Sequence, residues 1–206
     1  MPPAHLFEDA PDDTRTAIMK ATFLALCEHG YANLTIQRIG DEFAKSKSLL
    51  YHHYDGKDEL LVEFLEYMLE DFQANVPRED HDDPEEHLRT MLDQILDPAI
   101  EDEHYEFTGA MMELRAQASH DEAYRDHFTR TDRYLREKIA DVVRDGVDRG
   151  VFREVDPERT AALLVTTVNG SMLGRVTTDD DAEVLRATRR ELDDYIDAHL
   201  LADDAR

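Results

Sequence analysis

The chain has a single cysteine, Cys27, so no disulfide can close within it. Cys27 sits beside Phe23 and Leu26 with nothing adjacent to lower its pKa, and reads as a small core residue rather than a redox sensor. No apolar run approaches the roughly twenty residues that a bilayer-crossing helix needs. The start of the chain also lacks a basic, apolar, small-residue signal pattern. A cytoplasmic location with no membrane partner is expected. There is no phosphate-cradling glycine loop and no nucleophile motif, which argues against an enzyme. No strand-like alternation of useful length and no internal repeat occurs, so the fold class is all-α.

Ten histidines are present, but none are spaced as a ligand set. His52 and His53 are adjacent and would point about 100° apart on a helix. His81 and His87 flank an acidic loop, and His104, His120 and His127 have no tight spacing. No metal and no cofactor are expected.

Lysine is the other scarcity. Only five occur, and Lys45, Lys47 and Lys57 cluster together, in a chain with 48 Asp and Glu against 23 Lys and Arg and a net charge of −25. Residues 1–60 carry 6 basic against 10 acidic residues, and the remainder 17 against 38. The acidic excess therefore lies mainly outside the lysine cluster. Such a composition suits a halophilic protein kept soluble in concentrated salt.

Helical patterns fill the chain. Residues 1–12 read as a loose arm, and Asp12 or Asp13 can cap a first helix carrying Ile18, Ala21, Leu24 and Ala25, ended by Gly30. A helix from Asp58 to about Asn75 follows the lysine cluster, and Pro77 to Pro84 reads as loop. Further helices are expected at about 85–97, 104–119, 121–149, 157–175 and 182–201, about nine in all. Asp156-Pro157 is an N-cap followed by a first-turn proline. The β-branched run at 163–168 is read as buried helix.

The informative stretch is Thr35 to Lys57. Thr35 can cap a short helix, with Leu34 and Ile39 spaced as a hydrophobic staple. Ile36, Ile39 and Phe43 mark its apolar face. After Ala44-Lys45, Ser46 offers a second cap, and Leu50 and Tyr54 fall on one face of a second helix. This is the helix-turn-helix plan, whose second helix can lie in a major groove. Lys47, Ser48 and Leu49 occupy its first turn, with Tyr51 and His53 further along. Periodicity alone equally allows two amphipathic helices with a solvated face.

Together with Ile18 to Tyr31, this segment resembles the DNA-binding domain of the TetR family of one-component regulators. The resemblance is carried by Gly30-Tyr31, Thr35, Leu50-Tyr51-His52-His53-Tyr54 and Lys57-Asp58-Glu59-Leu60. The turn departs from the pattern, with Ala44 and Lys45 where glycine and an apolar residue are usual. The resemblance implies a DNA-binding domain at 1–56 and a helical effector-binding and dimerisation domain at 57–206. Its partners would be a double-stranded DNA operator, a second copy of the chain and a small-molecule effector. The implied DNA contacts are Thr35, Gln37, Lys47, Ser48, Leu49, Tyr51, His53 and Lys57.

Two apolar sets complete the expectation. Phe64, Met68, Phe72, Met91, Ile95, Phe107, Met111 and Met112 are candidate walls of an effector cavity, or simply core. Leu164, Val168 and Met172, with Leu185, Leu192, Tyr195 and Ile196, form two stripes near the C-terminus. Resemblance makes these a homodimer interface; periodicity also allows them to pack within one subunit. Gly170 and Gly174, one turn apart, would allow close helix approach. The alternative function is an all-α ligand-binding or partner-binding protein that keeps the fold without reading DNA.

Overall fold

The computed structural model describes residues 7, 13–43, 47–75, 82–96, 102–179 and 181–202. Among these the chain forms α1 (Thr14–Asn33), α2 (Ile36–Glu42), α3 (Lys47–His53), α4 (Lys57–Asn75) and α5 (Pro84–Ile95). It continues with α6 (Asp102–Gln117), α7 (Glu122–Asp148), α8 (Pro157–Thr177), α9 (Asp181–Tyr195) and a π-helical turn at Ile196–Leu200. An isolated antiparallel bridge joins Phe152 to Leu201.

Several boundaries follow from local chemistry. The Asp13 carboxylate accepts from the Thr16 amide at 2.8 Å and so starts α1; that bond holds its carboxyl below the usual carboxylate range. Thr35 Oγ1 accepts from the Arg38 amide at 3.2 Å, and Asp156 caps α8 through the Arg159 amide at 3.0 Å. Gly30 differs from the expected terminus. Its φ of 64° and ψ of 165° break α1, yet helical residues resume up to Asn33. Only glycine adopts that angle without strain.

The described residues form two compact units. The first contains α1–α4, α6 and the start of α7, to Thr129. Its core joins Phe23 and Leu26 of α1, Ile39 of α2 and Leu50 of α3 to Leu61 and Phe64 of α4, Leu114 of α6 and Tyr124 of α7. The Phe23 and Phe107 rings stack obliquely with centroids 5.5 Å apart. Arg15 ties α1 to α4 through Glu63 at 3.1 Å and Glu70 at 2.9 Å. Cys27 packs at the edge of this core, partly exposed.

The second unit contains α5, the rest of α7, α8, α9 and the terminal turn. Its core is built from Leu88 and Leu92 of α5, Ile139 and Val143 of α7, Leu164 and Val168 of α8, and Leu185 and Ile196. Arg89 of α5 meets Glu85 at 2.9 Å and both Asp193 and Asp197 at 2.5 Å. Backbone bonds from Arg153 to Leu200 (2.7 Å) and from Ala202 to Val151 (3.0 Å) hold the end of the chain. The 163–168 run is helical but not uniformly buried, since Leu163 and Thr166 face solvent. These packing units do not coincide with the expected division at residue 56.

Candidate nucleic-acid interface

The α2–α3 pair is anchored from beneath. Leu50 and Tyr54 project from the α3 segment into the first core, and Ile39 and Phe43 do so from α2. The Tyr54 hydroxyl donates to Glu63 Oε2 at 2.9 Å, joining the end of this motif to α4. Ala44, Lys45 and Ser46, and with them the expected second cap and the two unusual turn residues, lie outside the described residues.

With Leu50 inward, the opposite face of α3 is forced outward. Lys47, Ser48, Tyr51, His52 and His53 are all exposed, Tyr51 by 56 %. Gln37 is exposed on α2. Lys47 and the remaining expected contacts also meet partners within the chain. Leu49 is half-buried against the first core. Thr35 spends its hydroxyl on the α2 cap. Lys57 donates to the Tyr31 carbonyl at 3.0 Å and lies 4.2 Å from the centre of the Tyr31 ring. Lys47 pairs with Asp41 of α2.

Two residues at this site escaped sequence reasoning. Arg38, exposed on α2, donates to the Asn33 carbonyl at 2.5 Å; a basic residue one position past Gln37 was a legible signal. Glu113 of α6 accepts from the Tyr31 amide at 2.6 Å, beside the break at Gly30. Nothing in the sequence separates Glu113 from 47 other acidic residues, since the chain has 48 in all. The consequence is that α6 and α4 grip one residue, Tyr31, at its amide and its carbonyl.

The expected effector walls divide between two cores. Phe64, Met68, Phe107 and Met111 belong to the first, and Met91 and Ile95 to the second. Phe72 and Met112 are half-buried. The register of α5 explains the split: Leu88, Met91 and Leu92 form one stripe that packs with α7, α8 and α9 residues.

The expected dimer stripes divide between an inner face and an outer groove, which Leu192 and Tyr195 also line. Leu164, Val168, Leu185 and Ile196 are almost wholly buried inside their own subunit, and Leu192 nearly so. Met172 and Tyr195 are half-buried at the rim of that core. The exposed apolar residues are instead their neighbours: Leu163 at 47 %, Leu173 at 51 % and Val184 at 50 %. The periodic stripe is the inner face, and a second apolar face runs one residue out of step with it. There Leu163, Thr167, Val184, Thr188 and Tyr195 line an open groove of about 450 Å³ between α8 and α9. Gly170 and Gly174 give no close approach within the subunit; a Cβ at either would meet open space.

Among the described residues no group of three His, Cys, Asp or Glu side chains is placed to hold a metal, and no helix is long and apolar enough to cross a membrane.

Comparison with known proteins agrees with this geometry. Residues 18–64 match the family described as bacterial regulatory proteins, tetR family, and residues 84–201 match the BetI-type transcriptional repressor C-terminal family. A TetR transcription regulator from Haloarcula marismortui ATCC 43049 is 41 % identical; the match covers 90 % of this chain and 97 % of that one, with a TM-score of 0.82. The HTH-type transcriptional repressor AcnR of Corynebacterium efficiens is 26 % identical over 177 residues, 86 % of this chain and 89 % of that protein. The SmeT–triclosan complex has the same fold at 24 % identity, with a TM-score of 0.76 over 94 % of each chain.

Proposed function

Because the chain belongs to the TetR family of DNA-binding transcriptional regulators, we propose that it is a homodimeric repressor released from a palindromic operator by a small-molecule effector. The observation that carries this reading is the exposed outer face of α3, with Tyr51 at its centre, on a helix whose inner face is locked into a core. A helix so held can enter a major groove without first paying to order itself. Residues 1–56 serve as the reading head and 57–206 as the effector-binding and dimerisation part. Gln37, Ser48, Tyr51 and His53 supply base and backbone contacts, with Arg38 added to the set.

The dimer forms through the outer face of α8 and α9. In a chain with 48 acidic residues, positions 159–178 contain none. Exposed Leu163, Leu173 and Val184 lie in or beside that stretch free of acidic residues, and the open sides of Gly170 and Gly174 admit a partner helix. A palindromic operator requires the two reading heads to stand about 34 Å apart, one turn of duplex.

Release is a population shift. Effector favours a conformation in which the heads no longer fit, and operator affinity falls by the same coupling factor. The repressor name of AcnR supports repression, and the triclosan bound to SmeT supports a small-molecule effector. The Tyr31 grip supplies a route, because movement of α6 pulls on Glu113 and hence on the end of α1. The acidic surface suits a halophilic setting.

Selecting duplexes from a random pool with the full chain in molar KCl tests the reading. A palindrome is expected to be enriched, and Tyr51→Ala to weaken its binding at least tenfold while the dimer persists. Failure to enrich any sequence, or unchanged binding by the variant, overturns it.

A further inference from the structure

We propose that Asp41 competes with the operator phosphates for Lys47, so that this cation contributes almost no net counterion release when the repressor binds DNA. The inference rests on the operator-binding reading above and adds a property of the head that reading does not contain.

Lys47 opens α3, where a cation would meet the duplex backbone. Its stem lies against Gly40 of α2, where an added Cβ would stand 3.2 Å from its Cγ and 3.3 Å from its Cδ. That path leads its ammonium onto the Asp41 carboxylate. The neighbouring cations are held differently. Arg38 and Lys57 donate to the carbonyls of Asn33 and Tyr31, which fix a position but leave the positive charge intact. Lys47 is neutralised by a full negative charge. The surroundings offer little relief, since residues 36–59 contain four Lys and Arg against five Asp and Glu.

The side chains of Lys47 and Asp41 are 47 % and 57 % exposed, and an ion pair in that much water exchanges partners at small cost. When a phosphate captures Lys47, it gives up a condensed cation. Asp41 is then left bare beside a polyanion and takes a cation from solution. Release and uptake offset each other.

The measurement is binding of the duplex enriched in the selection above, by fluorescence anisotropy, from about 0.1 to about 1 M KCl. Asp41→Asn frees Lys47 to neutralise one phosphate per protomer. The slope of log affinity against log salt then steepens by about 0.9 per protomer, or about 1.8 per dimer. Across this tenfold salt range the variant loses roughly 60-fold more affinity than the parent, and at the lower limit it binds more tightly. The double variant Asp41→Asn/Lys47→Gln returns to the parental slope. Equal slopes for parent and Asp41→Asn overturn the proposal, as does steepening that survives in the double variant, which would mark a general charge effect. If no duplex is enriched at any salt, the operator-binding reading fails first and takes this one with it.

Discussion

The two units solve the same packing problem with a different balance of materials, although Arg15 also pairs with Glu63 and Glu70 in the first and Asp156 caps α8 in the second. In the first, polar groups bind backbone at the places where helices begin and end. Glu113 and Lys57 take the two sides of Tyr31, Arg38 takes the Asn33 carbonyl, and Thr35 and Asp13 cap their helices. In the second, arginines bind carboxylates along helix faces: Arg89 with three, Arg144 with Asp141 and Glu158, and Arg189 with Asp93 and Asp193. The first pattern fixes the direction of short helices, which a reading head requires. The second joins long helices whose directions are already set by a continuous apolar core, and it leaves one apolar face of α8 and α9 uncovered.

That contrast can be broken most severely at the uncovered face. Replacing Leu163 and Val184 together by Asp places two charges where a partner helix would exclude water. The expected result is a dimer Kd raised by roughly a thousandfold, about 4 kcal/mol, with the monomer still helical. Light scattering across a dilution series, with circular dichroism, checks it. A dimer of unchanged strength would show that the open face has another use.

A smaller effect tests how tightly the second core is filled. Gly146 lies against the buried ring of Phe152, and a Cβ there would overlap it. Gly146→Ala should cost about 3 kcal/mol through overpacking, read as a lower urea midpoint. The midpoint should hardly move if the bridge from Phe152 to Leu201 can shift with the ring.

The smallest effect sharpens the description of the first unit. Burial, and then the bond to Glu63, raises the Tyr54 pKa well above its ordinary value of 10.0. A raised pKa means that the contribution is fully present below about pH 10 and is lost as pH rises toward the folded value. Tyr54→Phe should therefore lose about 1 kcal/mol at neutral pH, and its stability should fall less than that of the parent above pH 10. Urea midpoints between about pH 7 and 11 would reveal it; parallel curves would mean that Tyr54 ionises freely.

Much of the architecture was legible in the sequence because helix signals are local. Thr35 and Asp156 declared their caps through side chains that satisfy nearby amides, and Asp13 was one of two candidates for the first. The inward positions Ile39, Leu50 and Tyr54 followed from spacing, and with them the outward placement of Tyr51 and His53. The site was harder to read wherever a partner was distant in sequence. Lys47 was expected to point at DNA, but its Asp41 partner lies on the preceding helix. Lys57 was expected among the DNA contacts, and nothing in the sequence showed that it reaches back to Tyr31. Glu113 was one carboxylate among many until the fold brought it to the end of α1.

The C-terminal helices show where that boundary falls. The amino-acid order alone established that α8 and α9 are helices and that each has an apolar stripe, because both properties repeat every three or four residues. It did not decide which apolar residues turn inward, since Leu163 and Leu164, or Val184 and Leu185, differ by only one step of rotation. That choice belongs to the packed chain. The face that packs with α5 and α7 is withdrawn from water, and the apolar residues left over stay exposed, where the proposed dimer would use them.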